Sequence, residues 1–168
     1  PEIDPERIAV AGNSGGGTQA AYLAAVEPRL RAAVSSCYMT SWKHLWSGPG
    51  PQDAEQILPN FLGLALDFAD FAYPFATRPF LITAAIRDYF PIDGARAAAG
   101  EMRRLSALLD HAPRAGFFEH DDTHGWSQPR RQAAVRWFSR WLEGRETDGI
   151  EAPSDAEEES ILYATPEG

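Results

Sequence analysis

Residues 7–18 read Arg7-Ile8-Ala9-Val10-Ala11-Gly12-Asn13-Ser14-Gly15-Gly16-Gly17-Thr18, and the order of residue types in that run decides the fold. A short apolar run that stops at a glycine predicts a buried strand over 7–11. The alanine-rich stretch from Thr18 to Val26 (TQAAYLAAV) predicts a helix with a small face, suited to close packing, and Pro28 lies just beyond it. Between them stands G-x-S-x-G at positions 12–16. So few residues can join strand to helix only through a sharp turn. Glycines two before and two after the serine let the two backbones pass without a Cβ between them, and Gly17 adds room. Such a turn pushes the Ser14 hydroxyl out at the end of the sheet. The N–H of Gly15, at the positive end of the new helix, is then aimed where an oxyanion would develop. The rival readings are an incidental serine in a glycine-rich turn and a phosphate loop. Gly12 and Gly17 have the phosphate-loop spacing, but Thr18 stands where that loop needs lysine.

Working outward, the pattern alternates. Arg31–Cys37 reads as a second strand, Pro79–Ile86 (PFLITAAI) as the clearest strand, and Ala115–Glu119 as a fourth. Ala98, Met102, Leu105 and Leu109 share one helical face. Ser127 is placed to cap a helix whose apolar stripe is Ala134, Trp137, Phe138 and Trp141. Strands alternating with helices predict an α/β fold, a mostly parallel sheet covered by helices on both faces. Residues 38–78 break the rhythm with Trp42, Trp46, Pro49, Pro51, Pro59, Phe61, Phe68, Phe71 and Phe75. A short helix near 53–66 is expected there, and the segment reads either as a lid or pocket wall or as a cover for the core.

A serine hydroxyl needs a general base, and the base needs an orienting acid. Asp88 follows the Pro79–Ile86 strand and so falls on the same sheet edge as Ser14. Asp93, between Pro91 and Gly94, is its competitor. Of four histidines, His44 lies in the insertion and His111 beside a helix end. His124 follows the fourth strand in a loop, with His120 at the strand end in reserve. His120, Asp121, Asp122 and His124 could also be read as a metal site, but a solvated polar turn explains that spacing better, so no metal and no cofactor are assigned.

The net charge of −9 over 168 residues is uneven. Residues 145–168 hold eight acids against Arg145 alone, leaving 16 acids and 14 bases before them. No basic stripe exists to displace phosphate counterions, which argues against nucleic acid. No apolar run approaches the ~20 residues of a membrane span. Cys37, the single cysteine, leaves the redox compartment open, and the localisation stays undetermined. The start Pro1-Glu2-Ile3-Asp4, without methionine and running into a strand, reads as a segment of a longer protein.

Four runs together carry a resemblance: DPERIAVAGNSGGGTQAAYLAAVEPRLRAAVSSCYMTSW (4–42), GPGPQDAEQ (48–56), FLITAAIRDYFPIDGA (80–95) and DTHGWSQPRRQAAVRWFSRWL (122–142). Over residues 4–143 the chain resembles the bacterial acetyl-xylan-esterase-like branch of the α/β-hydrolases, with dienelactone hydrolases and prolyl-oligopeptidase-type domains similar at lower resolution. The resemblance implies a serine esterase with Ser14 as nucleophile, Asp88 as acid, His124 as base and Gly15 in the oxyanion hole. It implies that residues 42–56 line or cover the pocket. Asn13, Trp42, Trp46 and Trp126 are the candidates for substrate contacts, with a small-molecule or carbohydrate ester as substrate. A prolyl-oligopeptidase-type peptidase and a non-catalytic binding module are the alternatives. Strands that precede the nucleophile strand in the family, with the loop giving the second oxyanion donor, are not in this sequence. Residues 1–144 are therefore expected to be the C-terminal portion of the catalytic domain, a partial fold of about four strands. Residues 145–168 are expected to be an acidic linker or the start of a further element. Alone, such a chain is expected to be weakly active or inactive, and its first strand offers an exposed edge for self-association.

Overall fold

A computed structural model describes residues 3–48, 53–153 and 157–165; Pro49 and Pro51 of the aromatic insertion lie outside the described residues. Four strands form one sheet in the order β1 (Ala9–Asn13), β2 (Ala32–Ser36), β3 (Phe80–Arg87) and β4 (Ala115–Thr123), each parallel to the next. Four α-helices accompany it among the described residues: α1 (Gly15–Val26), α2 (Trp42–Leu45), α3 (Ile92–Leu108) and α4 (Gln128–Glu143). Among those residues the outer edge of β1 carries no further strand. None of their helices is long and apolar enough to cross a membrane.

Side chains alternate across a strand, so the register divides the core in two. Ala33, Phe80 and Ala115 are in register, and with Ile82 and Phe117 they face the helices α1 and α3, meeting Ala21, Ala24, Ala98, Ala99 and Met102. One residue along, Val34 and Leu81 face the other way, onto Ala133 and Ala134 of α4, with Phe118 and Trp137 at the margin. β2 is buried at all five positions, as a central parallel strand covered on both faces must be.

Two glycines set how closely α1 approaches the sheet. A Cβ on Gly12 would lie 2.0 Å from the carbonyl oxygen of Gly16, and one on Gly17 would lie 2.5 Å from that of Ser36. The position two after the serine, Gly16, has open space instead. The second close approach therefore belongs to Gly17, which the G-x-S-x-G spacing alone does not reveal. Gly12→Ala is expected to cost ~3 kcal/mol or more, because the overlap is backbone against backbone and cannot be relieved by a rotamer. Urea unfolding of the variant beside Gly16→Ala measures it, and equal midpoints would contradict the packing.

The aromatic insertion differs from the lid reading. Trp42, Phe61, Phe68 and Phe75 are buried, and Trp42, Phe61 and Phe68 form a mutual cluster with ring centroids 5.1–5.8 Å apart. The segment covers the core. No continuous helix spans 53–66; 3₁₀ turns at Ala54–Gln56 and Leu62–Leu64 stand there, interrupted by positive φ at Asn60 and Ala65. After α4 the chain folds back along it: Arg131 grips the Glu151 carboxylate with two 2.7 Å hydrogen bonds, and Arg136 donates to the Asp148 carbonyl.

Candidate active site

Ser14 sits between β1 and α1 with φ 57° and ψ −121°, a backbone conformation that L-residues avoid. Neighbouring backbone holds it there: Ser14 N–H donates to the Ser36 carbonyl at 2.9 Å, and the Thr18 N–H and hydroxyl both donate to the Ser14 carbonyl. Its side chain makes no capping bond to α1, although serine at that position commonly does. Gly15 opens α1, and the first N–H groups of a helix have no partner within it.

Asp88 follows β3 and its side chain is 1% exposed. Its Oδ1 accepts from the Phe90 N–H at 3.2 Å and lies 2.7 Å from His124 Nδ1. With Asp88 as carboxylate, Nδ1 carries the proton of that bond and Nε2 is left as the basic nitrogen. The imidazole also packs against the Phe90 ring, 6.1 Å between centroids. Ser14 and His124 together line one cavity of about 280 Å³, with Asp53, Tyr89 and Phe90. More open hollows along β4, lined by Arg103 and Phe117, lack this combination of groups.

The remaining candidates fall elsewhere. Asp93 is in the first turn of α3, paired with Arg96 at 3.1 Å. His120 stands on β4 opposite Ala85, with its Nδ1 3.4 Å from Asp122. His44 bonds Ser41, and His111 lies three residues past α3, its N–H donating to the Ser106 carbonyl. Among the described residues, none of the four expected substrate contacts lines the Ser14 cavity. Asn13 Oδ1 accepts from Ser36 Oγ at 2.9 Å and ties β1 to β2. Trp42 is anchored in the core, its indole N–H donating to the Leu66 carbonyl and its backbone N–H to Asp67. Trp126 packs on the Val34–Leu81 side of the sheet. Trp46 is 67% exposed in a separate apolar hollow with Ile57, Leu58 and Leu62. Within residues 42–56, Asp53 reaches the cavity, and the Gln56 amide lies 3.8 Å from where a Cβ on Gly15 would stand.

Two neighbours of the acid–base pair carried no sequence signal. Cys37, just past β2 at φ 49°, is 2% exposed. Its sulfur, an Asp88 oxygen and a His124 ring nitrogen lie within 4.8 Å of one another. Burial, and then the Asp88 carboxylate beside it, push the thiol up to about 11, so at neutral pH it is a neutral donor and a poor metal ligand. The other is Arg130, in the first turn of α4 and fully buried.

No protein-family model matches the chain, and no curated protein matches its sequence. Solved structures match in fold. A carbohydrate esterase family 15 glucuronoyl esterase from Caldicellulosiruptor kristjansonii superposes with a TM-score of 0.73 at 17% identity over 99% of this chain and 51% of its own. The glucuronoyl esterase catalytic domain from Hypocrea jecorina gives 0.74 at 15% identity, over 97% and 52%. An acylaminoacyl peptidase from Pyrococcus horikoshii gives 0.59 at 19% identity, over 87% and 26%. The chain thus spans about half the length of the two esterases. Four parallel strands, helices on both faces and a serine at the strand-to-helix bend put this chain in the α/β-hydrolase fold.

Proposed function

We propose that the protein is a serine hydrolase cleaving carboxylic esters, with acetyl or related esters of carbohydrates as its substrate class. The reading rests on one observation. A buried carboxylate holds a histidine at 2.7 Å, on the rim of the cavity into which the strained Ser14 bend opens. In that arrangement His124 Nε2 takes the Ser14 proton as the oxygen attacks the ester carbonyl. Asp88 keeps the imidazole in the required tautomer and stabilises the imidazolium. The Gly15 N–H donates to the oxyanion. Collapse of the tetrahedral intermediate expels the alcohol, which leaves with the proton from His124, and water then repeats the sequence on the acyl-serine. No metal or cofactor enters these steps. A cavity of about 280 Å³ suits a small acyl group with the alcohol portion left outside. The carbohydrate assignment is supported by the sequence resemblance and by the glucuronoyl esterases among the similar folds.

A fluorophosphonate probe tests the reaction, and a substrate panel tests the class. Mass spectrometry should find the probe on Ser14. Acetylated xylo-oligosaccharide should be hydrolysed faster than a methyl glucuronate ester or a peptide anilide. Absence of labelling on the folded protein sinks the hydrolase reading, and preference for the anilide replaces the esterase with a peptidase.

A further inference from the structure

A buried guanidinium in the first turn of a helix is doubly unfavourable. Burial strips the charge of its hydration, and the positive end of the helix dipole repels it. Arg130 of α4 has no solvent exposure, so its retention there calls for a compensating role. Its fork reaches three stretches of the chain: the end of β4, the start of α4 and the end of β2. Nη2 donates to the carbonyl of Thr123, the residue before His124, at 3.0 Å. Nε donates to Ser127 Oγ at 3.1 Å, taking the hydroxyl that was expected to cap α4. Nη1 reaches the Cys37 sulfur, with Ser36 Oγ at 3.5 Å. The Asp122 carboxylate supplies a counter-charge at 3.3 Å, outside hydrogen-bond geometry.

The far side of Cys37 faces Asp88, whose Oδ2 is buried and makes no conventional hydrogen bond. With Arg130 donating to the sulfur, the thiol donates to the Gly125 carbonyl at 3.8 Å, in the residue after His124, with the Asp88 carboxylate beside it. The guanidinium therefore grips the His124 loop from both sides, at the Thr123 carbonyl and, through the Cys37 thiol, at the Gly125 carbonyl, and that same sulfur lies within 4.8 Å of an Asp88 oxygen.

We propose that Arg130 is the positioning residue of the Asp88–His124 pair, clamping the loop that carries the imidazole to the end of β2 so that His124 faces Ser14. The inference rests on the hydrolase reading for its kinetic consequence but not for its geometric one. Arg130→Lys keeps the charge and loses the fork, since an ammonium cannot span Thr123, Ser127 and Cys37 together.

The expected result is a ~100-fold lower kcat on 4-nitrophenyl acetate with KM within about twofold, the signature of a misplaced catalytic group. The low-field proton resonance of the His124–Asp88 hydrogen bond should broaden or shift upfield in the variant. That resonance is read on the folded protein whether or not it turns over ester, so a wild-type chain without turnover sinks the hydrolase reading while the spectrum still decides the role of Arg130. A folded Arg130→Lys with wild-type kcat, or on an inactive chain an unchanged resonance, overturns the proposal. If Arg130→Lys does not fold, Ser127→Ala removes one anchor of the same fork. It should lower kcat several-fold at constant KM and shift the same resonance; no change in either overturns the proposal.

Discussion

Ser14→Ala should lower kcat on 4-nitrophenyl acetate by ~10⁶, to the rate set by binding and the remaining donors, and should abolish fluorophosphonate labelling. Removing one oxygen from a residue that caps no helix leaves the fold intact, so circular dichroism and melting should match the parent. Ser14→Gly sharpens the test. It removes the same hydroxyl but also relieves the backbone at φ 57°, ψ −121°, where a Cβ is strained and glycine is not. Two inactive variants should therefore separate in stability. The glycine variant should gain ~1–2 kcal/mol, a melting point higher by about 2–8 °C. If the site were an ordinary glycine-rich turn, alanine would leave the activity in place. Equal melting points for the two variants would mean that the bend stores no strain.

That bend was readable in the sequence because its causes are local. A strand, a helix and the clearance between them are specified within residues 7–26, and only the limits moved. β1 runs on to Asn13 and α1 begins at Gly15 rather than Thr18, because the bend at Ser14 leads straight into helix and Gly17 packs on the Ser36 carbonyl, despite the poor helix propensity of glycine. The Asp88–His124 pair was readable for a related reason: in a parallel sheet the ends of successive strands share an edge, so a chain position fixes a place in space. The tryptophans were not. Trp42 is held by partners 24 and 25 residues away, and no local pattern separates an indole facing a pocket from one sealing the core. The predicted helix over 53–66 fails because tertiary aromatic contacts, not backbone periodicity, shape that segment. Arg130 is the sharpest case. In the run Arg130-Arg131 the sequence offers two alike charges; the fold buries the first and leaves the second partly exposed on Glu151.

Asp88→Ala and Asp88→Asn should differ by about a hundredfold, and the reason lies in the second partner of Oδ1. Alanine removes the acceptor for His124 Nδ1 and for the Phe90 N–H together. The imidazole then loses tautomer, orientation and counter-charge, and kcat should fall by ~10⁴. The orphaned, part-buried Phe90 N–H should also cost ~1–3 kcal/mol of stability. Asparagine behaves differently here. The Phe90 N–H selects an oxygen at that position, so the amide O should remain towards Phe90 and His124 with the NH₂ turned to Cys37. Nδ1–H keeps its acceptor and the correct tautomer survives. What is lost is the charge that stabilises the imidazolium, a hydrogen-bond difference of ~2–3 kcal/mol, or about 100-fold in kcat. Because asparagine also preserves the Phe90 contact, its melting point should stay near that of the parent. Steady-state kinetics and melting on the two variants measure both differences. An asparagine variant as inactive as the alanine one would show that the amide had flipped, presenting NH₂ to Nδ1 and forcing the wrong tautomer. Parent-like rates in both would remove Asp88 from the reaction and leave the buried carboxylate as a strut for the loop after β3.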